Sequence, residues 1–182
     1  SAFIDSKKKM WFATIHDGVY TYDKNKTQLD HYTSANGLPS DICYMVKEDK
    51  KGRLFIPTSK GLAIIDTDLS IRSFTKRTAL RYERCESVLI DNENIAWFSN
   101  KNCLVRFDAD NNHMEIFDEK AGLLNDGFRV GSCLKTKNGE LLWGGYKGVS
   151  YFKPKQLKTV ILPLQVNIHQ VEVQDSTVDI PA

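Results

Sequence analysis

An aromatic-led tetrapeptide returns four times along this chain at almost constant spacing, and that return constrains the fold more than any other feature. It reads Trp11-Phe12-Ala13-Thr14, Phe55-Ile56-Pro57-Thr58, Trp97-Phe98-Ser99-Asn100 and Trp143-Gly144-Gly145-Tyr146, with the leading aromatics 44, 42 and 46 residues apart. Other landmarks keep the same step. Six residues before each aromatic stand Asp5, Asp49, Asp91 and Lys137, and a few residues after it come Gly18, Gly61, Cys103 and Gly148. Each unit then runs into a short apolar strand ending Tyr22-Asp23, Ile65-Asp66, Phe107-Asp108 or Phe152-Lys153, and a further aromatic follows at Tyr32, Phe74 and Phe117. A repeat of this length is one supersecondary unit that buries its apolar surface only by stacking on its neighbours.

Within a unit the pattern is strand and turn, with no apolar stripe at helical spacing. The second unit illustrates it: strands are expected over 42–47, 53–57, 62–65 and 71–74, separated by Asp49-Lys50-Lys51-Gly52 and Ser59-Lys60-Gly61. Glycine stands where tight turns need positive φ. A four-stranded antiparallel meander of 40 to 50 residues is the size of a β-propeller blade. The expected fold is therefore all-β, with about four blades near residues 1–38, 39–81, 82–124 and 125–159. The leading aromatics are expected to be core residues wedged between blades, and the repeat aspartates to be turn-formers accepting bonds from backbone amides. Ring closure usually takes more blades than four, and residues 1–5 match the interior of a first strand. The chain thus reads as the C-terminal part of a larger ring. After Phe152-Lys153-Pro154 the repeat stops, and 160–182 reads as a linker with one extra strand around 164–168.

Composition excludes several functions. The 25 basic and 23 acidic residues are interspersed and leave a net charge of +2, so no surface for nucleic acid is expected. Cys43, Cys85, Cys103 and Cys133 are far apart with no CxxC pair, which fits buried thiols rather than a metal centre. His16, His31, His113 and His169 fall at non-equivalent repeat positions, so neither catalytic residues nor a cofactor are assigned.

In a propeller, the links between blades share one rim with the turns joining second to third strands. Asn36, Asp41 and Glu83 lie on links, and His16, Lys60 and Asn102 on turns. The favoured ligand-binding set is Arg81, Tyr82, Arg84, Asn125, Asp126, Phe128, Arg129 and Tyr146. Aromatic faces beside Arg, Asn and Asp suit a sugar, whose ring offers one apolar face and a rim of hydroxyls. Two other readings remain open at this point. One is a protein-interaction scaffold; the other is a lyase or glycosidase using carboxylates such as Asp41, Glu83 and Asp126.

The units resemble the two-component regulator propeller repeat. Its first strand ends Glu-Asp, and a Gly turn, a Trp-Ile-Gly-Thr-like strand, a Gly-Leu turn and a Gly-Leu-Pro-Ser link follow. Here these are Glu48-Asp49, Gly52, Phe55-Ile56-Pro57-Thr58, Gly61-Leu62 and Gly37-Leu38-Pro39-Ser40. The third unit departs from it, with Asn100 and Cys103 in place of the usual Thr and Gly. The break after Pro154, with Pro163 and valines beyond it, resembles the junction into the Ig-like domain named for three tyrosines. The resemblance implies the periplasmic sensor region of a bacterial hybrid histidine kinase. It implies seven-bladed propellers, an oligosaccharide ligand, homodimerisation in the intact sensor, and control of transcription by a signal relayed through the Ig-like domain. The kinase itself has no counterpart in these residues.

Overall fold

The structure, a computed structural model, describes residues 1–123 and 127–157 in full, and the backbone of 170–173 and 176–179. Four antiparallel sheets follow one another along the chain, each built from consecutive strands in sequence order. The first holds β1 (Ala2–Ile4), β2 (Met10–Ala13), β3 (Val19–Asp23) and β4 (Gln28–Tyr32). The second holds β5 (Lys47–Glu48), β6 (Leu54–Thr58), β7 (Gly61–Ile65) and β8 (Ile71–Phe74), and the third β9 (Cys85–Ile90), β10 (Ala96–Asn100), β11 (Cys103–Asp108) and β12 (His113–Phe117). In the fourth, β13 (Phe128–Lys135), β14 (Leu141–Gly145) and β15 (Val149–Phe152) are the described strands, and β16 (Gln170–Val173) with β17 (Ser176–Asp179) forms a separate hairpin. The strand expected at 164–168, like Leu124, Asn125 and Asp126, lies outside the described residues.

One expected strand is shorter than its sequence implied. Over 42–47 only an isolated bridge, Cys43 to Thr58, precedes the two-residue β5. Pro57 explains the gap. Its carbonyl accepts from Tyr44 N at 3.0 Å, so its nitrogen points to the same side and has no hydrogen to give that strand.

Sheet faces alternate between two neighbours, and this organises the core. On β6, Leu54 and Ile56 pack toward the first sheet with Trp11, Val19 and Val46, while Phe55 packs toward the third with Val88, Phe98 and Phe107. The third sheet repeats the division, sending Leu89, Trp97 and Leu104 against Phe128, Leu141 and Trp143 of the fourth. Every residue of β6, β7 and β10 is consequently buried, so these antiparallel strands lack the usual polar alternation. In the first and fourth sheets only one face is covered by a sheet among the described residues. The other carries exposed Ile4, Phe12 and Leu29 at one end, and Leu134, Val149 and Tyr151 at the other.

The repeat aspartates do more than shape turns. Asp91 Oδ1 accepts from the amides of Glu93 and Ile95, both at 2.9 Å, while Oδ2 accepts from Trp97 Nε1 at 2.9 Å. Asp5 holds Lys9 N and Trp11 Nε1 in the same way, each at 2.8 Å. The Phe55 side chain has no N–H, and there the Arg53 guanidinium takes the indole's place, donating to Asp49 at 2.6 Å. Neighbouring turns are tied to one another as well: Ser6 N and Oγ donate to Glu48 at 2.7 Å, and Lys50 N donates to Asn94 at 2.7 Å.

The fourth unit breaks this pattern and corrects the sequence alignment. Thr136 N donates to Glu140 O and Thr136 Oγ1 accepts from Glu140 N, the roles Asp91 plays toward Ile95. Thr136, not Lys137, therefore stands at the aspartate's position, and Trp143 comes one residue later than Trp97 does in its unit. A one-residue offset in a strand turns a side chain to the opposite face. Trp11, Phe55 and Trp97 each face the following sheet, whereas Trp143 faces the preceding one, stacked on Phe152 with centroids 5.8 Å apart. Its Nε1 is the buried side-chain polar atom left without a partner among the described residues.

The two indole N–H groups should differ in what they contribute, one bonded and the other without a partner among the described residues. Asp91→Ala strands Trp97 Nε1 and is expected to cost about 1–3 kcal/mol, whereas Trp143→Phe removes an unsatisfied group and should stay within about 1 kcal/mol of the parent. Urea denaturation checks both; equal losses would contradict the assignment.

A candidate ligand cleft between the third and fourth sheets

Links and turns meet on one rim, as propeller geometry requires. Gly18 N, in the β2–β3 turn, donates to Asp41 O of the first link at 2.8 Å, and Phe128 N donates to Lys101 O at 3.3 Å. Between the third and fourth sheets this rim opens into a cleft of about 470 Å³ whose walls include Arg84, Glu86, Lys101, Phe128, Arg129 and Tyr146. Four members of the sequence-derived set, Arg84, Phe128, Arg129 and Tyr146, thus meet there. Arg81 and Tyr82 line a smaller recess of about 150 Å³, where Arg81 Nη1 is paired with Asp118 at 2.9 Å. Asn102 borders both. Asn125 and Asp126 lie outside the described residues. His16, Asn36, Asp41, Lys60 and Glu83 line neither space; Asp41 instead accepts from Ser34 N at 2.6 Å, and Asn36 from Thr33 N at 2.9 Å.

Several local devices build the cleft. Asn100, the residue that breaks the repeat, is buried at the end of β10 and clamps the link. It accepts from Tyr82 N at 2.9 Å and donates to the carbonyls of Tyr82 and Arg84, both at 2.8 Å. The threonines at this position in the first two units serve only their own hairpins, donating to Gly18 O and Gly61 O. Ser87 of β9 crosses the seam: its hydroxyl donates to Arg129 O at 3.2 Å and accepts from Gly131 N at 3.1 Å. Gly127, at φ +75°, lets the chain pass close to the Tyr146 ring; a Cβ there would lie 3.4 Å from Asn102 Oδ1.

The cations of the cleft are held by aromatic rings. Arg84 lies 5.2 Å from the Tyr44 centroid, Lys101 4.9 Å from Tyr82, and Arg129 4.4 Å from Tyr146, whose hydroxyl also accepts from Arg129 Nη1 at 2.7 Å. Arg53 with Asp49 and Arg72 with Asp66 form close ion pairs at 2.6 Å, whereas the carboxyl near Arg84, that of Glu86, lies at 3.4 Å. A ring orders a cation without neutralising it.

Glu86 was not among the sequence candidates, because a lone glutamate after Cys85 reads as a surface charge. Its exposure is only 6%. Oε2 accepts from Lys101 N at 3.3 Å, and Oε1 lies 3.4 Å from Arg84 Nε. Burial pushes its carboxyl up to about 7, outweighing the opposing pull of Arg84 and the Lys101 amide. Three of the four thiols, Cys43, Cys85 and Cys103, are buried as expected and Cys133 is half-buried; burial raises Cys43 and Cys103 to about 12.

Comparison with known proteins decides the fold. No family model matches the chain. It is 23% identical over 184 aligned residues to a Formosa agariphila protein named Histidine kinase P4, covering 98% of the chain and 13% of that relative. Among solved structures, the extracellular domain of the hybrid two component system BT3049 of B. thetaiotaomicron superposes with a TM-score of 0.77 at 20% identity, over 84% of this chain and 21% of that one. That of BT4673 from the same organism gives 0.68 at 18%, over 97% and 26%. The chain folds as β-propeller blades. Virginiamycin B lyase of Staphylococcus aureus shares the architecture as well, with a TM-score of 0.63 at 18% identity over 84% of this chain and 54% of that one. Propeller blades therefore do not by themselves select a function.

The buried Glu86 makes stability depend on pH. Its folded-state value lies above that of the unfolded chain, so its contribution is fully present below about 4.5 and is lost as pH rises through about 7. Glu86→Gln should remove this loss and gain roughly 2–3 kcal/mol over the parent at pH 8, with little difference at pH 4.5. Parallel denaturation curves at both pH values measure it; a constant offset would show that Glu86 ionises freely.

Proposed function

We propose that this chain is a sensing propeller of a hybrid two-component histidine kinase, placed outside the cytoplasm, and that its ligand is an oligosaccharide. The observation that carries the reading is the rim cleft, where an exposed tyrosine and a buried phenylalanine stand beside pre-ordered arginines. Binding there bridges two blades through the Ser87 seam, which offers a path from ligand to fold. The setting comes from the likeness to Histidine kinase P4 and to extracellular domains of two-component systems. In this reading further blades cover the exposed end faces, an Ig-like domain follows, and the intact sensor is a homodimer that relays occupancy to transcription.

The lyase alternative is the weaker reading. A His-to-Ala variant of the Staphylococcus enzyme is catalytically inactive. Here His31 and His113 sit on the outermost strands β4 and β12, and His31 bonds Asp17 O at 2.8 Å. No histidine among the described residues lines the cleft.

The test is a thermal-shift and calorimetric screen of the intact protein against an oligosaccharide panel, with Arg129→Ala and Tyr82→Ala alongside. At least one glycan should bind, and each variant should lower affinity about tenfold with its fold intact; Tyr82→Ala acts by freeing Lys101. Binding to no glycan would favour the scaffold reading, and release of shortened products the enzymatic one.

A further inference from the structure

The charge of the rim cleft is unlike that of other clefts in the molecule. The cleft lined by Lys47, Lys50 and Lys135 also contains Glu48, Asp49 and Asp91. The one beside Lys153 and Lys155 contains Asp91 and Glu93, and Lys155 is paired with Glu93 at 2.9 Å. In these, acids and bases balance. Among the described residues, the walls of the rim cleft hold three cations, Arg84, Lys101 and Arg129, and one carboxyl, that of Glu86.

We infer that the rim cleft binds the carboxylate or sulfate group of an acidic saccharide, with Arg84, Lys101 and Arg129 as its ligands for that group. The inference rests on the sensing role proposed above and specifies the chemistry of the ligand. Three observations support it. First, each of the three cations lies against an aromatic ring, which sets its position before the ligand arrives without cancelling its charge; of the three, Arg84 also has a carboxyl beside it, Glu86 at 3.4 Å. Second, guanidinium groups present parallel N–H pairs that fit the oxygens of a carboxylate or sulfate. Third, about 470 Å³ far exceeds a single oxyanion, and Tyr146, 69% exposed, offers an apolar surface for the rest of a sugar ring.

Glu86 completes the arrangement from below. Charged and titratable groups face it from every side: Arg84 and Tyr44 from the links, Lys101 from the β10–β11 turn, Cys85 and Cys103 from the third sheet, and Arg129 with Tyr146 across the seam. Burial dominates among these influences and favours the neutral carboxyl. Protonated, Glu86 offsets none of the three positive charges and can itself donate to an anionic oxygen. Ionised, it cancels one of them. Affinity for an acidic ligand should accordingly fall as pH rises from 6 to 8.

Calorimetry with matched ligand pairs tests this. Oligogalacturonate is compared with a neutral galacto-oligosaccharide of equal length, a carrageenan oligosaccharide with its desulfated form, and sodium sulfate is titrated alone. One acidic member should bind at least tenfold more tightly than its neutral match, with an advantage that shrinks as salt is raised. Arg84→Gln and Arg129→Gln, both surface substitutions, should each weaken that ligand tenfold or more while melting like the parent. Glu86→Gln should keep the binding and remove its pH dependence. Equal affinity for acidic and neutral members, unchanged by the arginine variants, would overturn the inference and leave the sensing role standing. Sodium sulfate binding as tightly as the sulfated sugar would overturn the saccharide assignment, and binding of neither member of either pair would count against the sensing role itself.

Discussion

Face-to-face burial of successive blades is the constraint on which this structure depends. A four-stranded meander has two faces and almost no thickness, so it makes a core only with another meander. Here Leu54 and Ile56 serve one seam and Phe55 the next, within one short strand. Fully burying each such side chain is worth roughly 1.5–3 kcal/mol, and three seams multiply that gain along the chain. The turn aspartates protect it. An indole N–H at the base of a seam would cost its desolvation if unpaired, and Asp5 and Asp91 satisfy it while closing their own turns.

The same constraint places the cleft. Because each seam is shared by two blades, a link that enters one blade lies beside a turn of another, and side chains far apart in sequence converge on the rim. Ser87 fixes the backbone of Arg129 across the third seam, and Asn100 fixes that of Arg84. Both anchoring side chains are fully buried. A ligand held there is held by two blades at once.

Much of this was legible in the sequence, and what was not has identifiable causes. The period gave the blades because each needs the same seam residues at the same step. It misplaced Trp143, since a one-residue offset in the fourth turn keeps the tetrapeptide recognisable while reversing its face. It overextended the strand before β5, because Pro57 acts on the partner strand and not on its own. Arg84, Phe128, Arg129 and Tyr146, chosen from the rim for the chemistry a sugar requires, come together in the cleft, whereas Arg81 and Tyr82 line the neighbouring recess and rim geometry alone also pointed to His16, Asn36, Asp41, Lys60 and Glu83, which line neither. Glu86 left no local signature, because nothing around Cys85 in the sequence shows that its side chain lies in a cleft shared with Phe128 and Arg129 of the fourth sheet. Asn100 did leave one: the position where the third unit departs from its repeat is the one that holds the link.

Native-state hydrogen exchange, resolved strand by strand on residues 1–182 by themselves, tests the dependence on shared seams most directly. The slowest exchange is predicted in β6, β7, β10 and β11, whose sheets are covered on both faces, and faster exchange in β2 and β14, whose sheets are covered on one face among the described residues. Uniform protection across the four sheets would contradict it, since backbone pairing within each meander, rather than packing between meanders, would then be what holds the blades.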